Sequence, residues 1–199
     1  MRLLRNLAAI VLLTALAACG INSVPTAEET AKAKWADVQA AFQERANLIP
    51  NLAEVARSAA ENEKEILTGV VEARARATSI QLNADDLTDP AKMAQFQAAQ
   101  AQLSSSLAGF GRLLANFERY PELKSIQNFQ MLQSQLEGQE NRIRITIRDY
   151  NEAVRAYNTE VRTFPSIIAA KVIYGAKPMV PYQAVTPGAE FAPSLEGKL

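Results

Sequence analysis

The sequence lacks histidine altogether and contains a single cysteine, Cys19, among its 199 residues. Without imidazole, the side chain that most often serves as a general base and as a metal ligand is missing. Zinc sites built from cysteine and histidine, haem ligation by histidine and internal disulfides are excluded as well. Because most common active sites depend on these groups, we expect a protein that is not an enzyme and that binds no cofactor or metal.

The start of the chain has the three-part pattern of a secretory signal. Arg2 and Arg5 precede a run of 12 apolar and small residues at positions 7–18. As a helix this run would measure about 18 Å, whereas the hydrocarbon core of a bilayer is about 30 Å thick. The letters LAAC that end at Cys19 resemble the bacterial lipobox. We therefore predict a signal peptide at 1–18 and a lipidated N-terminus with a linker at 19–25.

Lipid on Cys19, palmitate among its chains, would hold the protein at a membrane without a spanning helix, because two or more acyl chains anchor a protein stably. The alternative is that Cys19 is a small apolar residue in an uncleaved anchor. With lipidation, the protein would lie on the extracytoplasmic side of the cell envelope. Gly20 resembles the sorting pattern for the outer membrane, facing the periplasm, if the cell has two membranes.

Charge gives no reason to expect nucleic acid as a partner. The full chain has 21 basic and 21 acidic residues, and cleavage after residue 18 removes Arg2 and Arg5 and no acid. The mature chain then carries 19 basic against 21 acidic residues, a net charge of −2. A slightly acidic chain has no general attraction to a phosphate backbone.

Apolar residues at alternating steps of three and four dominate the rest of the chain and predict helices that pack along a seam. The first run has seam positions Trp35, Val38, Phe42, Arg45, Ile49, Leu52, Ala56, Ala59, Glu63, Ile66, Val70, Ala73, Ala77 and Ile80. A second run begins at Pro90, after an Asp89 cap, and a third extends from Ile126 to Phe164. The fold class is therefore all-α, an antiparallel bundle of three long helices in one domain over 26–175.

The end of the chain changes character after the third run. A short apolar segment at 167–174 is expected to pack on the bundle. Residues 176–199 contain four prolines and read as a disordered tail.

Pro50 lies inside the first run and allows two structures. The chain could reverse there, so that residues 26–48 form a fourth helix, or the helix could continue with a kink. The unbroken spacing favours continuity. A first helix over 26–80 would exceed the second by about 36 Å, which predicts a projecting stalk. Its exposed stripe of Trp35, Val38 and Phe42 would then be the surface that contacts a partner or a second copy.

Several polar residues stand where the pattern calls for another type. Arg45, Glu63 and Glu140 interrupt the seams, and we interpret them as residues that fix register or reach water at the seam edges. The acidic group Asp85, Asp86 and Asp89 is interpreted as turn and cap chemistry, with a calcium loop as the alternative.

Two other features allow more than one interpretation. Tyr150-Asn151 and Tyr157-Asn158 repeat after seven residues and predict core tyrosines whose hydroxyls reach polar neighbours, the alternative being a ligand ladder. Gly109 and Gly111 suggest close helix approach or a bend.

Three stretches, in order along the chain, resemble the LemA family of bacterial envelope proteins. They are ERANLIPNLAEVARSAAENE from residue 44, YPELKSIQNFQMLQSQLEGQENRI from residue 120 and RDYNEAVRAYNTEVRTFPSIIAA from residue 148. The similarity covers about residues 35–182. It implies a helical bundle held at the envelope with no established enzymatic activity. Family members typically begin with a membrane-spanning helix, whereas this chain has the lipobox.

These observations favour a lipid-anchored, non-catalytic helical module that binds an envelope protein or organises the envelope. Two alternatives remain. A hydrolase would need paired carboxylates such as Glu63 and Glu140 within about 10 Å of each other. A binder of a hydrophobic ligand would need a cavity between helices near Gly109 and Gly111.

Overall fold

The structure is a computed structural model that describes residues 21–59, 64–115 and 127–183. The predicted signal peptide, Cys19, Glu63 and the last part of the predicted tail lie outside these residues. The helices are α1 (Ser23–Ala59), α2 (Lys64–Ser79), α3 (Pro90–Ala115), α4 (Gln127–Arg162) and α5 (Ser166–Val172), with a 3₁₀ turn at Ala84–Thr88. The described residues contain no strand, so the all-α class is confirmed. The predicted start of a helix at Pro90 is also confirmed, and Asp89 before it is extended.

The first run is two helices rather than one, and this corrects the count of three long helices. The Nε of Arg74 in α2 donates to the carbonyl oxygen of Ala46 in α1 over 2.7 Å. In a single straight helix these two residues, 28 positions apart, would be separated by about 42 Å. The chain therefore reverses between Ala59 and Lys64, and α2 packs against α1.

Pro50 lies within α1, so the prediction that the helix continues through it is confirmed. Proline has no N–H, and the carbonyl four residues earlier loses its helical partner. That carbonyl belongs to Ala46, which is buried and accepts the Arg74 bond. The hydrogen bond missing from the helix is thus replaced by a side chain of α2, which removes part of the usual cost of an internal proline.

The chain divides into two compact units, each described here by itself. Within the described residues, the first unit comprises 21–44, 83–90 and 138–181, and the second comprises 45–59, 64–82, 91–115, 127–137 and 182–183. Helices α1 and α4 contribute residues to both units.

In the first unit, the first half of α1 packs on the second half of α4. The ring of Trp35 lies 5.0 Å from the ring of Tyr150, tilted by 57°. At the surface of the same pair of helices, Arg142 and Glu44 form an ion pair of 2.6 Å. The buried apolar residues of this core include Val24, Ala31, Val38, Ala41, Phe42, Leu87, Ile143, Val154, Tyr157 and Val161.

The second unit has its own apolar core, contributed by four helices. Its cluster of buried residues is Ile49, Leu52, Leu67, Val70, Ala73, Ala77, Leu103, Phe110 and Leu132. Leu48, Ile66, Leu107 and Leu136 pack against this cluster while remaining partly exposed. Most described seam positions of the predicted second and third runs are buried, as the three-four spacing predicts: Phe96, Ala99, Leu103, Phe110, Leu132, Ile143, Tyr150, Val154, Tyr157 and Val161. Phe164, the last position of the third run, is 80% exposed and does not follow the pattern.

Candidate functional site

Trp35, Val38 and Phe42, which the sequence suggested as an exposed contact surface, are buried in the first unit. The prediction that residues 26–49 project as an unpaired stalk is wrong, because this part of α1 packs against α4. The length comparison considered only the second run, whereas α4 is 36 residues long and provides the partner. A contact surface made of these three side chains is therefore not supported.

Arg45 was predicted either to fix register or to reach water at a seam edge. It is fully buried in the second unit, so it does not reach water. Its Nη1 donates to Ser104 Oγ and its Nη2 to Gln100 Oε1, each over 2.9 Å. Gln100 Nε2 in turn donates to the carbonyl of Ala77 over 3.2 Å. The network connects α1, α3 and the end of α2 with directional bonds, which fits the predicted role in fixing register.

The repeated tyrosines of α4 hold an extended segment that follows α5. Tyr150 Oη donates to the carbonyl of Val180 over 2.9 Å, and Tyr157 Oη donates to that of Lys177 over 3.1 Å. Burial raises the pKa of both phenols above the ordinary value; for Tyr157 a smaller increase comes from Glu28. The prediction of core tyrosines with hydrogen-bonded hydroxyls is confirmed.

Asn158 completes this clamp on the extended segment. Its side-chain amide accepts from the N–H of Met179 over 2.8 Å and donates to the carbonyl of the same residue over 2.9 Å. The N–H of Val180 then donates to the carbonyl of Leu87. One asparagine thus pairs with both backbone groups of one residue, as a neighbouring strand would.

The boundary predicted for the disordered tail, residue 176, is too early, because the residues that follow it are held by α4. Met179 is buried in the first unit, and in the second unit Tyr182 is buried with its ring 6.4 Å from that of Phe96. The prolines of this segment suit an extended backbone, and composition alone did not reveal the α4 side chains that bind it. Residues 184–199 lie outside the described residues.

The segment 167–174 was predicted to pack on the bundle, but of its large apolar side chains only Ile167 is partly buried. Ser166, Ala169 and Ala170 are buried. The side chains that remain exposed, here called the α5 surface, are Phe164 (80% exposed), Ile168 (57%), Val172 (79%), Ile173 (58%) and Tyr174 (42%). Small residues form the packed side of α5, and bulky residues form its solvent side.

Glu160 connects α5 to the start of α1. Its carboxylate oxygen Oε2 accepts a bond of 2.8 Å from Ser23 Oγ, the first residue of α1. Its backbone carbonyl accepts a bond of 2.9 Å from Ser166 Oγ, the first residue of α5. The N-terminal end of α1 and the α5 surface therefore lie at the same end of the first unit. A groove open to solvent, lined by residues of α1 and α4 that include Ser23, Thr26, Arg155 and Glu160, lies beside this contact.

The remaining polar candidates form no recognisable reactive centre within the described residues. Asp86 Oδ2 accepts from the N–H of Asn83, which is turn chemistry of the predicted kind. The part of the chain that the structure describes holds no group of three or more possible metal ligands. Glu140 is half-buried, and Glu63, its partner in the hydrolase alternative, lies outside the described residues.

Gly109 does not mark a close helix approach, which corrects the first of its two interpretations. A Cβ built on this residue would meet no atom within 4 Å. Gly111 is helical, and its surroundings lie outside the described residues.

The fold and these contacts define an all-helical protein whose unusual polar residues support its own packing. The LemA family model matches residues 34–196, and the chain belongs to the LemA family.

Among relatives, the chain is 24% identical over 158 residues to magnetosome proteins MamQ 1 and MamQ 2 of Paramagnetospirillum magneticum, covering 72% of this chain and 58% of each relative. It is 28% identical over 102 residues to protein LemA of Metamycoplasma hominis, covering 51% of this chain and 41% of that protein. The chain thus spans about half the length of these relatives. None of the described helices is both long and apolar enough to cross a bilayer.

Proposed function

We propose that this protein is a lipid-anchored, non-catalytic helical module of the cell envelope, held on the extracytoplasmic side through Cys19, where it binds a protein partner or organises the envelope. The observation that carries the proposal is that α1 begins at Ser23, only four residues after the lipobox cysteine. A folded helical protein would then lie directly at the membrane, with almost no linker.

The hydrogen-bond partners of the polar side chains support a non-catalytic role. Arg45, Tyr150, Tyr157 and Asn158 all use their hydrogen-bonding groups on the protein's own backbone and side chains. Two of the relatives are named as magnetosome proteins, which fits a role at a membrane and describes no catalytic activity.

The lipid is tested by replacing its attachment residue. Cys19→Ala should leave the helical fold intact, while the protein either leaves the membrane fraction or persists as an unprocessed precursor held by residues 7–18. Labelling of cells with a palmitate analogue should mark the natural protein and not the variant. A Cys19→Ala protein that is cleaved at the normal site and still resists washing from membranes would contradict the proposal.

The partner is tested separately, by crosslinking in intact envelopes followed by capture of the full chain. One protein recovered with the natural chain and lost with Cys19→Ala would identify a partner that requires the anchored state. Recovery of the same proteins with both forms would argue against a role for anchoring in partner binding.

A further inference from the structure

The α5 surface gathers exposed apolar side chains more densely than any other part of the chain that the structure describes. Its five residues lie between positions 164 and 174, whereas the other large exposed apolar side chains, Val71, Met131 and Ile145, are far apart in sequence. Exposed apolar residues that stand singly are normal on a protein surface, but a contiguous group marks a contact with another apolar phase.

The surface is held rigidly. Ser166 Oγ donates to the backbone carbonyls of Glu160 and Thr163 at the start of α5. At the other end, the N–H of Ala176 donates to the carbonyl of Ala170 over 2.8 Å. The clamp formed by Tyr150, Tyr157 and Asn158 then fixes the segment that follows. The bulky side chains therefore cannot turn inward by a simple movement of a free end.

The position of this surface restricts what can cover it. Ser166 and Ser23 both bond to Glu160, so α5 starts beside the first turn of α1. Cys19 precedes Ser23 by four residues, which reach at most about 14 Å when fully extended. A lipid on Cys19 would bring the bilayer surface within this distance of the end of the first unit that carries α5.

The charges around the surface suit phospholipid headgroups. Residues 161–183 include three basic side chains and no acidic one, and the bases Arg162, Lys171 and Lys177 are all exposed. Glu160, directly before this segment, is partly buried and accepts the bond from Ser23. An apolar face bordered by lysine and arginine, with an aromatic residue such as Tyr174 at its edge, is the composition of segments that lie in the membrane interface.

We propose that the α5 surface inserts into the headgroup region of the bilayer that carries Cys19, so that α5 and the lipid together fix the orientation of the protein on the membrane. This inference rests on the proposed lipid anchor. A bilayer is favoured over a protein partner because the anchor keeps it within reach of α5 at all times and because the basic border matches anionic lipids.

Depth-dependent fluorescence quenching tests the inference in the full lipidated chain. Cys19 is the only natural cysteine and lipidation consumes its thiol, so an introduced cysteine is the only site for a fluorophore. Val172→Cys places the probe on the α5 surface. Ile145→Cys is the matched control, an exposed apolar residue of the same unit that lies 17 residues before Arg162, about 25 Å along α4.

The labelled proteins are reconstituted into vesicles of phosphatidylethanolamine and phosphatidylglycerol that contain a lipid spin-labelled near the headgroup. The probe at position 172 should be quenched roughly threefold or more relative to the probe at 145, as expected for insertion into the interface. Replacing phosphatidylglycerol with phosphatidylcholine should reduce the quenching at 172, because the basic border loses its anionic partners.

Three other outcomes would overturn the inference. Equal, weak quenching at both positions, with lipid on Cys19 found by mass spectrometry, removes the α5 contact and leaves the anchor standing. Disulfide crosslinking of unlabelled Val172→Cys chains on the same vesicles, together with no quenching of the labelled protein, identifies a second copy as the occupant. Absence of lipid from Cys19 overturns the proposed function, and the inference that depends on it falls too.

Discussion

At the scale of single residues, Pro50 and Arg74 form a compensating pair across two helices. The proline deprives Ala46 of its helical donor, and Arg74 supplies one over 2.7 Å. A buried carbonyl left without a donor costs about 1 to 3 kcal/mol, so Arg74 should contribute more to stability than an ordinary arginine on a helix surface.

A double-mutant cycle tests this pair. Arg74→Met should lower the free energy of unfolding by about 1 to 3 kcal/mol. In a Pro50→Ala background the new N–H can bond to Ala46, so the same substitution should cost about 1 kcal/mol less. Urea unfolding of the four proteins measures the difference. Arg76→Met is the control, because Arg76 is exposed and forms a surface ion pair with Glu72 at 3.6 Å. Strict additivity of the two substitutions would contradict the compensation.

Tyr150 makes stability depend on alkaline pH. Burial raises the pKa of its phenol above the ordinary value of 10.0, so the unfolded chain releases this proton at lower pH than the folded protein. Stability from this group is complete below about pH 10 and falls as the pH rises further, by up to about 1.4 kcal/mol per pH unit.

Tyr150→Phe keeps the ring that packs on Trp35 and removes the hydroxyl bonded to Val180. At pH 8 the variant should be less stable by about 1 kcal/mol, and the deficit should vanish by about pH 11. Urea titrations followed by circular dichroism at both pH values provide the comparison. Tyr174→Phe, an exposed tyrosine, should match the natural protein at pH 8. A deficit at Tyr150→Phe that stays constant up to pH 11 would show that the phenol does not contribute to alkaline unfolding.

At the scale of the helices, two glycines differ in backbone conformation, and substituting each by alanine should change stability in opposite directions. Gly109 is inside α3, where an added Cβ meets nothing within 4 Å, while Gly175 follows α5 with a φ of 57°. Gly109→Ala should raise the free energy of unfolding by about 0.5 to 1 kcal/mol through helix propensity.

Gly175→Ala is the matched substitution of opposite sign. It should lower the free energy of unfolding by about 1 kcal/mol, because the left-handed conformation disfavours any side chain. Thermal melts of both variants give the comparison. Destabilisation by Gly109→Ala would mean that α3 needs the glycine for a contact that the structure does not show.

At the scale of the whole molecule, α1 and α4 each supply residues to both units, which should couple their unfolding. Leu103 is fully buried in the second unit, and Leu103→Ala should cost about 2 to 5 kcal/mol as a cavity. Trp35, the only tryptophan, reports on the first unit by its fluorescence.

The urea midpoint of the Leu103→Ala variant should therefore fall by the same amount in tryptophan fluorescence and in circular dichroism, as two-state unfolding requires. Ser105→Ala, an exposed change on the same helix, is the control. An unchanged fluorescence midpoint beside a lowered dichroism midpoint would show that the two units unfold independently.

The sequence by itself determined which faces of the helices are buried. The described seam residues Val38, Ile49, Leu103 and Val154 are all buried, because the period of the apolar pattern decides which side of a helix avoids water. The same periodicity determined the all-α class and the start of α3 at Pro90.

Only the tertiary structure decided where the chain reverses and what covers each face. The three-four spacing passes through both Pro50 and residues 60–63, so it could not distinguish a helix that continues from one that turns back. Arg74 supplies the donor that Pro50 removes from Ala46, a contact between residues 28 positions apart in the sequence. Tyr150 of α4 covers Trp35, a contact between residues 115 positions apart. The same holds for α5: composition predicted that its apolar residues would be buried, but Ala169 and Ala170 fill the available space and Phe164 and Val172 remain outside. Burial depends on which partner surface is present, and a local pattern does not contain that information.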